Sequence, residues 1–435
     1  MLLARRDFLA QTGGAMTAAA TVSADGSTAA ATASGDDWDR VRELFALSGD
    51  YIHMSAMLVA SHPKPVRDAI DRHRKELDAN PITYLERNYR RRYDEARTAA
   101  GRYLGLDASA VALTDSTTMG VGLIYNGLRL LSYQDILTTE QDFYVTHEAL
   151  RQTSERTGAS LRKTPLYDRL EGITEDQIVA RIAGAVTPAT RVLALTWVHS
   201  STGLKLPLRS IADAIAEINA GRDEADRVLI CVDGVHGFGI EDVILADLGC
   251  DLLMAGCHKW LFGPRGTGIV AGTERGWSAV RPSIPSFTDD ATWEAWLLGG
   301  AAPSGPTTAA RMTPGGLKPF EHQWALVQAF ELHEAIGKAR VAERTRELAG
   351  QLKDGLAAMD HVTLHTPRDP RLSAGIVCFD VDGMAPAAVV RRLRERRIIA
   401  SVAPYATPHV RLTPSIRNSP AEIETVLREL RTLTS

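Results

Sequence analysis

The sequence lacks what would tie it to a redox scaffold, a membrane or a nucleic acid. Its 435 residues hold four cysteines, Cys231, Cys250, Cys257 and Cys378. They form no C-x-x-C pair, and the chain has no H-E-x-x-H run. Neither a disulfide framework nor a zinc centre is expected, and no residue is assigned to a metal. No apolar run reaches the ~18 residues a membrane-spanning helix needs. Charge of neither sign dominates: the formal net charge is −4 and the pI about 6.3. Such a balance gives no electrostatic footprint for nucleic acid or for an anionic membrane surface. With 45% hydrophobic and 23% charged residues, the composition is that of an ordinary globular enzyme, and the length predicts two to three domains.

What the chain does contain is two apolar runs that end in reactive groups. Residues 252–270 read LLMAGCHKWLFGPRGTGIV. The run from Leu252 to Ala255 has the look of a buried strand end. It breaks at Gly256 and sets Lys259 in a glycine-rich turn. A lysine desolvated there has a lowered pKa, and a neutral amine can form a Schiff base. The plainer role for one lysine is a surface turn, since lysines are seldom buried without a partner. A second stretch changes that balance. Val228 to Val232 is an unbroken apolar run, as in a central parallel strand, and it ends in Asp233, Gly234 and, two residues on, His236. A carboxylate at the C-terminal end of such a strand sits where α/β proteins bind ligands. Lys259 and Asp233 together match the needs of pyridoxal phosphate (PLP). The lysine carries the aldehyde, and the aspartate keeps the pyridine nitrogen protonated so that the ring draws electrons.

Taken in order, the chain opens with Arg5-Arg6-Asp7-Phe8-Leu9, an Ala-rich stretch and the small residues Ala31-Thr32-Ala33. This fits a twin-arginine export signal over 1–33; the alternative is a disordered leader of a cytoplasmic protein. Helices are predicted over 64–79 and 84–104; the charged run ERNYRRRYDEAR in the second reads as a solvated face. A strand at 111–113 leads into Thr114-Asp115-Ser116-Thr117-Thr118-Met119-Gly120. Hydroxyl residues at such a junction serve as helix caps, and they also suit an anion at the helix N-terminus. Strands at 135–139 and 190–197 and a helix over 207–220 continue an alternation that predicts a parallel sheet with helices on both faces. After Val270 the chain is predicted irregular, with a Gly/Pro-rich part over 298–317. Helices over 319–336 and 340–358, strands at 361–365 and 374–380, a helix over 386–396, a strand at 398–402 and a helix over 420–432 close the chain. The expected division is a leader (1–33), a large cofactor domain (34–318) and a small α+β domain (319–435).

Four motifs carry a resemblance: TDSTTMG (114–120), VDGVHG (232–237), GCHKWLFGPRGTG (256–268) and VRLTPSIRN (410–418). As a set, over about residues 50–435, the chain resembles the class V aminotransferase family of PLP enzymes, fold type I. Within it the isopenicillin N epimerase-like branch is closest, with cysteine desulfurases and C–S lyases as cousins. The resemblance implies an α/β fold whose large domain has a mainly parallel sheet, plus a small C-terminal α+β domain. It implies Lys259 as the Schiff-base lysine, Asp233 on the pyridine nitrogen and His236 beside them. Ser116, Thr117, Thr118 and His258 would hold the phosphate. Phe143, with Tyr144 second, would stack on the ring, and Ser200 stands where desulfurases have Asn. Arg411 would grip the substrate carboxylate. His53 stands where relatives often have Asn, and Arg417 where they often have Tyr. A homodimer is implied, with Thr313 offering a contact to the partner's phosphate.

The reaction stays open at this level. Desulfurases that form a persulfide carry a nucleophilic Cys between the 386–396 helix and the carboxylate Arg. The loop here, IIASVAPYATPHV, has none, and Cys378 lies in an apolar strand. What remains is an amino-acid lyase or epimerase, such as a C–S β-lyase acting on a cysteine conjugate, or an aminotransferase using a keto-acid acceptor. A remote third reading is a metal-dependent hydrolase built on His199, His236 and His258.

Overall fold

The computed structural model describes residues 37–433, so the leader expected over 1–33 lies outside the described residues. In chain order the strands are β1 (Ile52–His53), β2 (Val111–Thr114), β3 (Asp135–Thr139), β4 (Ser160–Thr164), β5 (Thr190–Thr196), β6 (Leu229–Asp233), β7 (Leu252–Gly256), β8 (Gly268–Gly272), β9 (Val362–Leu364), β10 (Val377–Val381), β11 (Ile398–Ile399), β12 (Ser401–Val402) and β13 (Val410–Leu412). Seven of them form one sheet in the order β2-β8-β7-β6-β5-β3-β4. Its pairs are parallel from β7 to β4, and only β8 runs against its neighbours β2 and β7.

Burial on both faces explains why the central strands read as unbroken apolar runs. Successive residues go to opposite sides. Leu193, Ile230, Val232, Leu253 and Ala255 enter one core, and Val192, Ala194, Leu229, Cys231 and Met254 enter the other. The edge strand β4, SLRKT, is partly exposed and polar, so no apolar pattern announced it. Pro81 shapes the pair of helices before the sheet. It bars Asn80 from helical geometry, ending Lys64–Ala79, and then serves as first residue of Pro81–Leu104, which Gly105 caps at φ 69°. That is why the second helix begins three residues ahead of its predicted start.

The C-terminal part has its own antiparallel sheet, ordered β12-β13-β10-β9. Its core gathers Leu348, Leu352 and Leu356 with Val389 and Leu393 and with Ile423, Val426 and Leu430. Beyond the expected boundary at 318/319 the chain still packs in the large core. The helix predicted over 319–336 is two, Phe320–Trp324 and Leu326–Ile336, and Phe320, Trp324, Leu326, Ala329 and Phe330 pack in the large core. Gly337 turns at φ 97°; Ile336 and Val341 on either side of it share a further cluster with Phe45, Phe262 and Ile416, and from Leu348 the chain packs in the small core. The N-terminal segment is likewise shared: β1 pairs in parallel with β11, and Met54 lies in the small core. The strand predicted at 398–402 is therefore two, β11 and β12, in different sheets. The segment predicted irregular after Val270 contains the helix Asp290–Leu298.

All the strands except β8 end at the same edge of the large sheet. The loops leaving that edge carry the candidate residues, and the one after β5 docks on the small domain. The Thr366 hydroxyl donates to the Thr202 carbonyl at 2.7 Å. Gly203 beside it has φ 77°, and a Cβ there would lie 2.4 Å from the Ile376 carbonyl oxygen. Gly203→Ala is therefore expected to cost about 2 kcal/mol, read as a lower urea midpoint. An unchanged midpoint would mean that this loop and the small sheet do not meet.

Candidate active site

The first component is a helix start. Ser116 caps Thr117–Gly127, its hydroxyl accepting from the Met119 amide at 3.1 Å. The first-turn amides beyond the cap have no intrahelical partner. Next to them the Thr117 hydroxyl and His258 Nδ1 are buried with no partner. Gly256 lets the two approach: a Cβ there would sit 2.8 Å from Thr117 Oγ1 and 3.0 Å from the His258 ring. Asp115, whose charge opposes an anion, is met by Lys318 at 3.1 Å and by the Gln323 amide at 3.2 Å. Unsatisfied donors at a helix N-terminus fit a phosphate group, so the phosphate end of PLP fits here. Thr117 and His258 are the side chains best placed for it. Ser116 spends an acceptor lone pair on its cap and keeps a proton to donate, while Thr118 lies on the exposed side of the turn.

Asp233 and Lys259 form the second component. Burial raises the Asp233 carboxyl to about 6, although the Val235 amide at 3.1 Å and the charge of Lys259 act to lower it. Burial pulls the Lys259 ammonium down to about 8, with Asp233 raising it and Arg411 lowering it further. His236 is fully enclosed. Its Nδ1 accepts from the Trp260 indole at 3.2 Å, and burial, then Lys259, hold its pKa well below the ordinary value. It is a neutral ring whose proton belongs on Nε2.

The loops after β3 and β5 are joined by Asp142, which the sequence did not mark. One carboxylate oxygen accepts from Thr138 Oγ1 at 2.7 Å and from the Thr139 amide at 2.8 Å; the other accepts from the Thr196 amide at 2.7 Å. This fixes Phe143 at the start of helix Tyr144–Thr157. Its ring lies edge-on to Tyr405 at 6.0 Å, whereas Tyr144 is 70% exposed, so Phe143 is the aromatic that the site can use. His199 donates from Nδ1 to the Gln141 carbonyl at 2.9 Å, leaving Nε2 buried and partnerless. His199, His236 and His258 do not converge as a ligand set among the described residues. The hydrolase reading thereby loses its centre.

The third component comes from the small domain. Arg411, on β13, is 2% exposed. Its guanidinium donates to the Ser200 carbonyl at 3.0 Å, to the Val402 carbonyl at 3.0 Å and to Ser401 Oγ at 3.3 Å. All three acceptors are neutral, and among the described residues Arg411 pairs with no carboxylate. Burial lowers its pKa. Tyr405, in the β12–β13 loop, also went unmarked in the sequence. Its hydroxyl lies 2.8 Å from Ser200 Oγ, and burial raises it to about 12 against the Ser200 hydrogen bond, so it keeps its proton at neutral pH. A lone tyrosine between Pro404 and Pro408 was the only available signal.

Other predicted residues lie apart. Arg417 donates to the His53 carbonyl at 2.8 Å, and both groups are pushed down by burial, Arg417 to about 10. The charges acting on Lys259 are those of Asp233 and Arg411, not Arg417. The Thr313 hydroxyl donates to the Ala309 carbonyl at 3.1 Å and accepts from the Leu113 amide at 3.2 Å. It fastens the short helix Ala309–Met312 to β2.

A lysine near 8 sets a pH dependence. The amine is neutral above that pH, so PLP uptake by apoenzyme, followed by its visible absorbance, is expected to accelerate as pH rises through about 8. Asp233→Asn removes a charge that raises Lys259, and the midpoint is expected to move down. Lys259→Ala is expected to lack the absorbance. A wild-type midpoint at the ordinary lysine value of 10.5 would contradict the burial of this amine.

The comparisons agree with this geometry. The sequence profile of the aminotransferase class-V family matches residues 59–411. The chain is 27% identical over 413 residues to the isopenicillin N epimerase of Streptomyces clavuligerus, covering 92% of this chain and 98% of that one. It is 27% identical over 410 residues to the isopenicillin N epimerase of Amycolatopsis lactamdurans, covering 91% and 98%. Its fold matches that of the cystine C–S lyase C-DES, solved with its product cysteine persulfide, with a TM-score of 0.79 at 21% identity, over 89% of this chain and 99% of that one. This protein belongs to the class V aminotransferase family, PLP-dependent enzymes of fold type I.

Proposed function

We propose that this enzyme breaks a bond at the α-carbon of an amino acid and is, by reaction, an epimerase or a C–S β-lyase. Arg411 carries the reading. A buried guanidinium given only neutral acceptors, and close enough to Lys259 to lower its pKa, is suited to an anion brought in by the substrate. An amino-acid carboxylate is such an anion. PLP, when bound, supplies an electron sink for the pair released at the α-carbon.

The chain's own groups do the rest. Arg411 holds the carboxylate through two parallel N–H donors and so fixes the angle at the α-carbon, which selects the bond that breaks. Lys259 Nζ, tuned to about 8, takes and returns a proton near neutral pH. Asp233 offers its negative charge in a water-poor setting where it acts at full strength. Phe143 covers one side of the crevice and keeps water out. Tyr405, protonated and aimed by Ser200, is a second proton carrier. Epimerisation needs a proton delivered to the face opposite the one it left, and β-elimination needs one for the departing sulfur. Tyr405 can serve either demand.

The thiols speak against persulfide formation. All four cysteines are buried, and Cys378 is pushed up to about 12 by burial, so none is a thiolate nucleophile. Tyr405 occupies the loop where that nucleophile would stand. A homodimer is part of the proposal. The segment 290–317 leaves Trp296, Leu298 and Leu317 at 67%, 69% and 82% exposure, a surface that a second copy would cover.

Arg411→Lys is expected to raise KM for the amino acid strongly, with a loss of about 2–4 kcal/mol in kcat/KM and an unchanged cofactor spectrum. Full kcat/KM in both Arg411→Lys and Arg411→Ala would mean that the carboxylate is held elsewhere. Tyr405→Phe is expected to keep exchange of the α-hydrogen with deuterated solvent while slowing racemised or eliminated product by about 10²-fold. Equal product rates would remove Tyr405 from the proposal.

A further inference from the structure

Away from the Lys259 crevice, three side chains of the small domain bring their ligand atoms to one spot. His365 follows β9, Asp380 lies on β10 and His409 precedes β13. His365 Nε2 is 2.7 Å from Asp380 Oδ2, and His409 Nδ1 is 2.8 Å from the same oxygen. The three ligand atoms lie within 4.8 Å of one another, and the imidazoles overlap with centroids 3.8 Å apart. The carboxylate is used unevenly. Oδ2 meets both rings, while Oδ1 is buried with no partner. The side chains are 26%, 33% and 10% exposed, so an ion can reach them from solvent.

We propose that His365, Asp380 and His409 form a site for a divalent transition metal of the zinc class. Two imidazole nitrogens and one carboxylate oxygen are a donor set that such ions favour, and water completes a tetrahedral shell. Binding needs no oxidant. Each ring presents the lone pair of the nitrogen that faces Asp380, and any proton on that nitrogen passes to the other ring nitrogen or to solvent as the metal binds. The ligands stand 15 and 29 residues apart, so no short spacing announced them. The site also has a place in the architecture. The His409 carbonyl accepts from the Ala403 amide at 2.8 Å, closing the loop that carries Tyr405, and Arg411 follows two residues on. An ion there fastens this loop to β10.

The test is titration of chelator-treated holoenzyme with Zn²⁺ alone, by calorimetry and by thermal midpoint. One ion per chain is expected, binding at micromolar concentration or tighter, with a rise in the midpoint. His365→Gln and His409→Ala are each expected to weaken uptake by at least 10-fold while keeping the cofactor absorbance. No uptake by the wild-type holoenzyme at 10²-fold higher Zn²⁺, roughly, would overturn the site. So would equal uptake by the double variant. If the variants do not fold, X-ray absorption of the Zn²⁺-loaded wild type decides. A shell of nitrogen and oxygen at about 2.0 Å that includes two imidazoles supports the site, and a sulfur shell at about 2.3 Å overturns it.

Discussion

Burial of charge is the constraint on which the rest of this structure depends. Asp233, Lys259 and Arg411 are drawn into a region where water no longer screens them, and each is displaced by burial from its ordinary protonation behaviour. Two positive groups face one negative group, without a direct pair between Lys259 and Asp233. Such an arrangement is costly in isolation. Asp233 and Lys259 are carried at the ends of strands of the large sheet that apolar cores fix on both sides, and Arg411 is carried by the small sheet.

The site is a seam between two cores. Arg411 belongs to the small sheet, yet its Nη1 donates to Ser200 on a loop of the large one. Tyr405 makes the same crossing to the Ser200 hydroxyl. The Thr366–Thr202 hydrogen bond and the close fit at Gly203 lock the two parts behind these contacts. One loop, residues 199–203, thus holds both Arg411 and Tyr405, the proposed carboxylate grip and the proposed second proton carrier.

In the proposed reaction the β12–β13 loop contributes a phenol, Tyr405, and no thiol. A thiolate nucleophile needs a lowered pKa, and every thiol here is raised by burial. A phenol near 12 is the opposite kind of group, a proton donor that stays protonated.

Much of the large domain was legible because its strands are buried on both faces. Double burial forces continuous apolar runs, and the polar residue that ends each run is where a ligand can bind. Lys259 and Asp233 stood out for that reason, and β3 and the helix Lys64–Ala79 fall where their patterns predicted. The edge strand β4 did not, since half-exposure removes the pattern. Local sequence also could not say which core a helix joins, because Phe320 and Leu348 are equally apolar and only packing assigns them to different domains. Asp142, Tyr405 and the His365–Asp380–His409 cluster were invisible for a further reason. Their partners are distant in sequence or are backbone groups, and no short spacing encodes a contact that exists only once the sheets have formed. The sequence by itself determined the lysine, the aspartate and the sheet that carries them, through hydrophobic runs that are local. Only the tertiary structure decided that Arg411 would be buried near Lys259 with no carboxylate partner among the described residues, because that depends on how the two cores are pressed together.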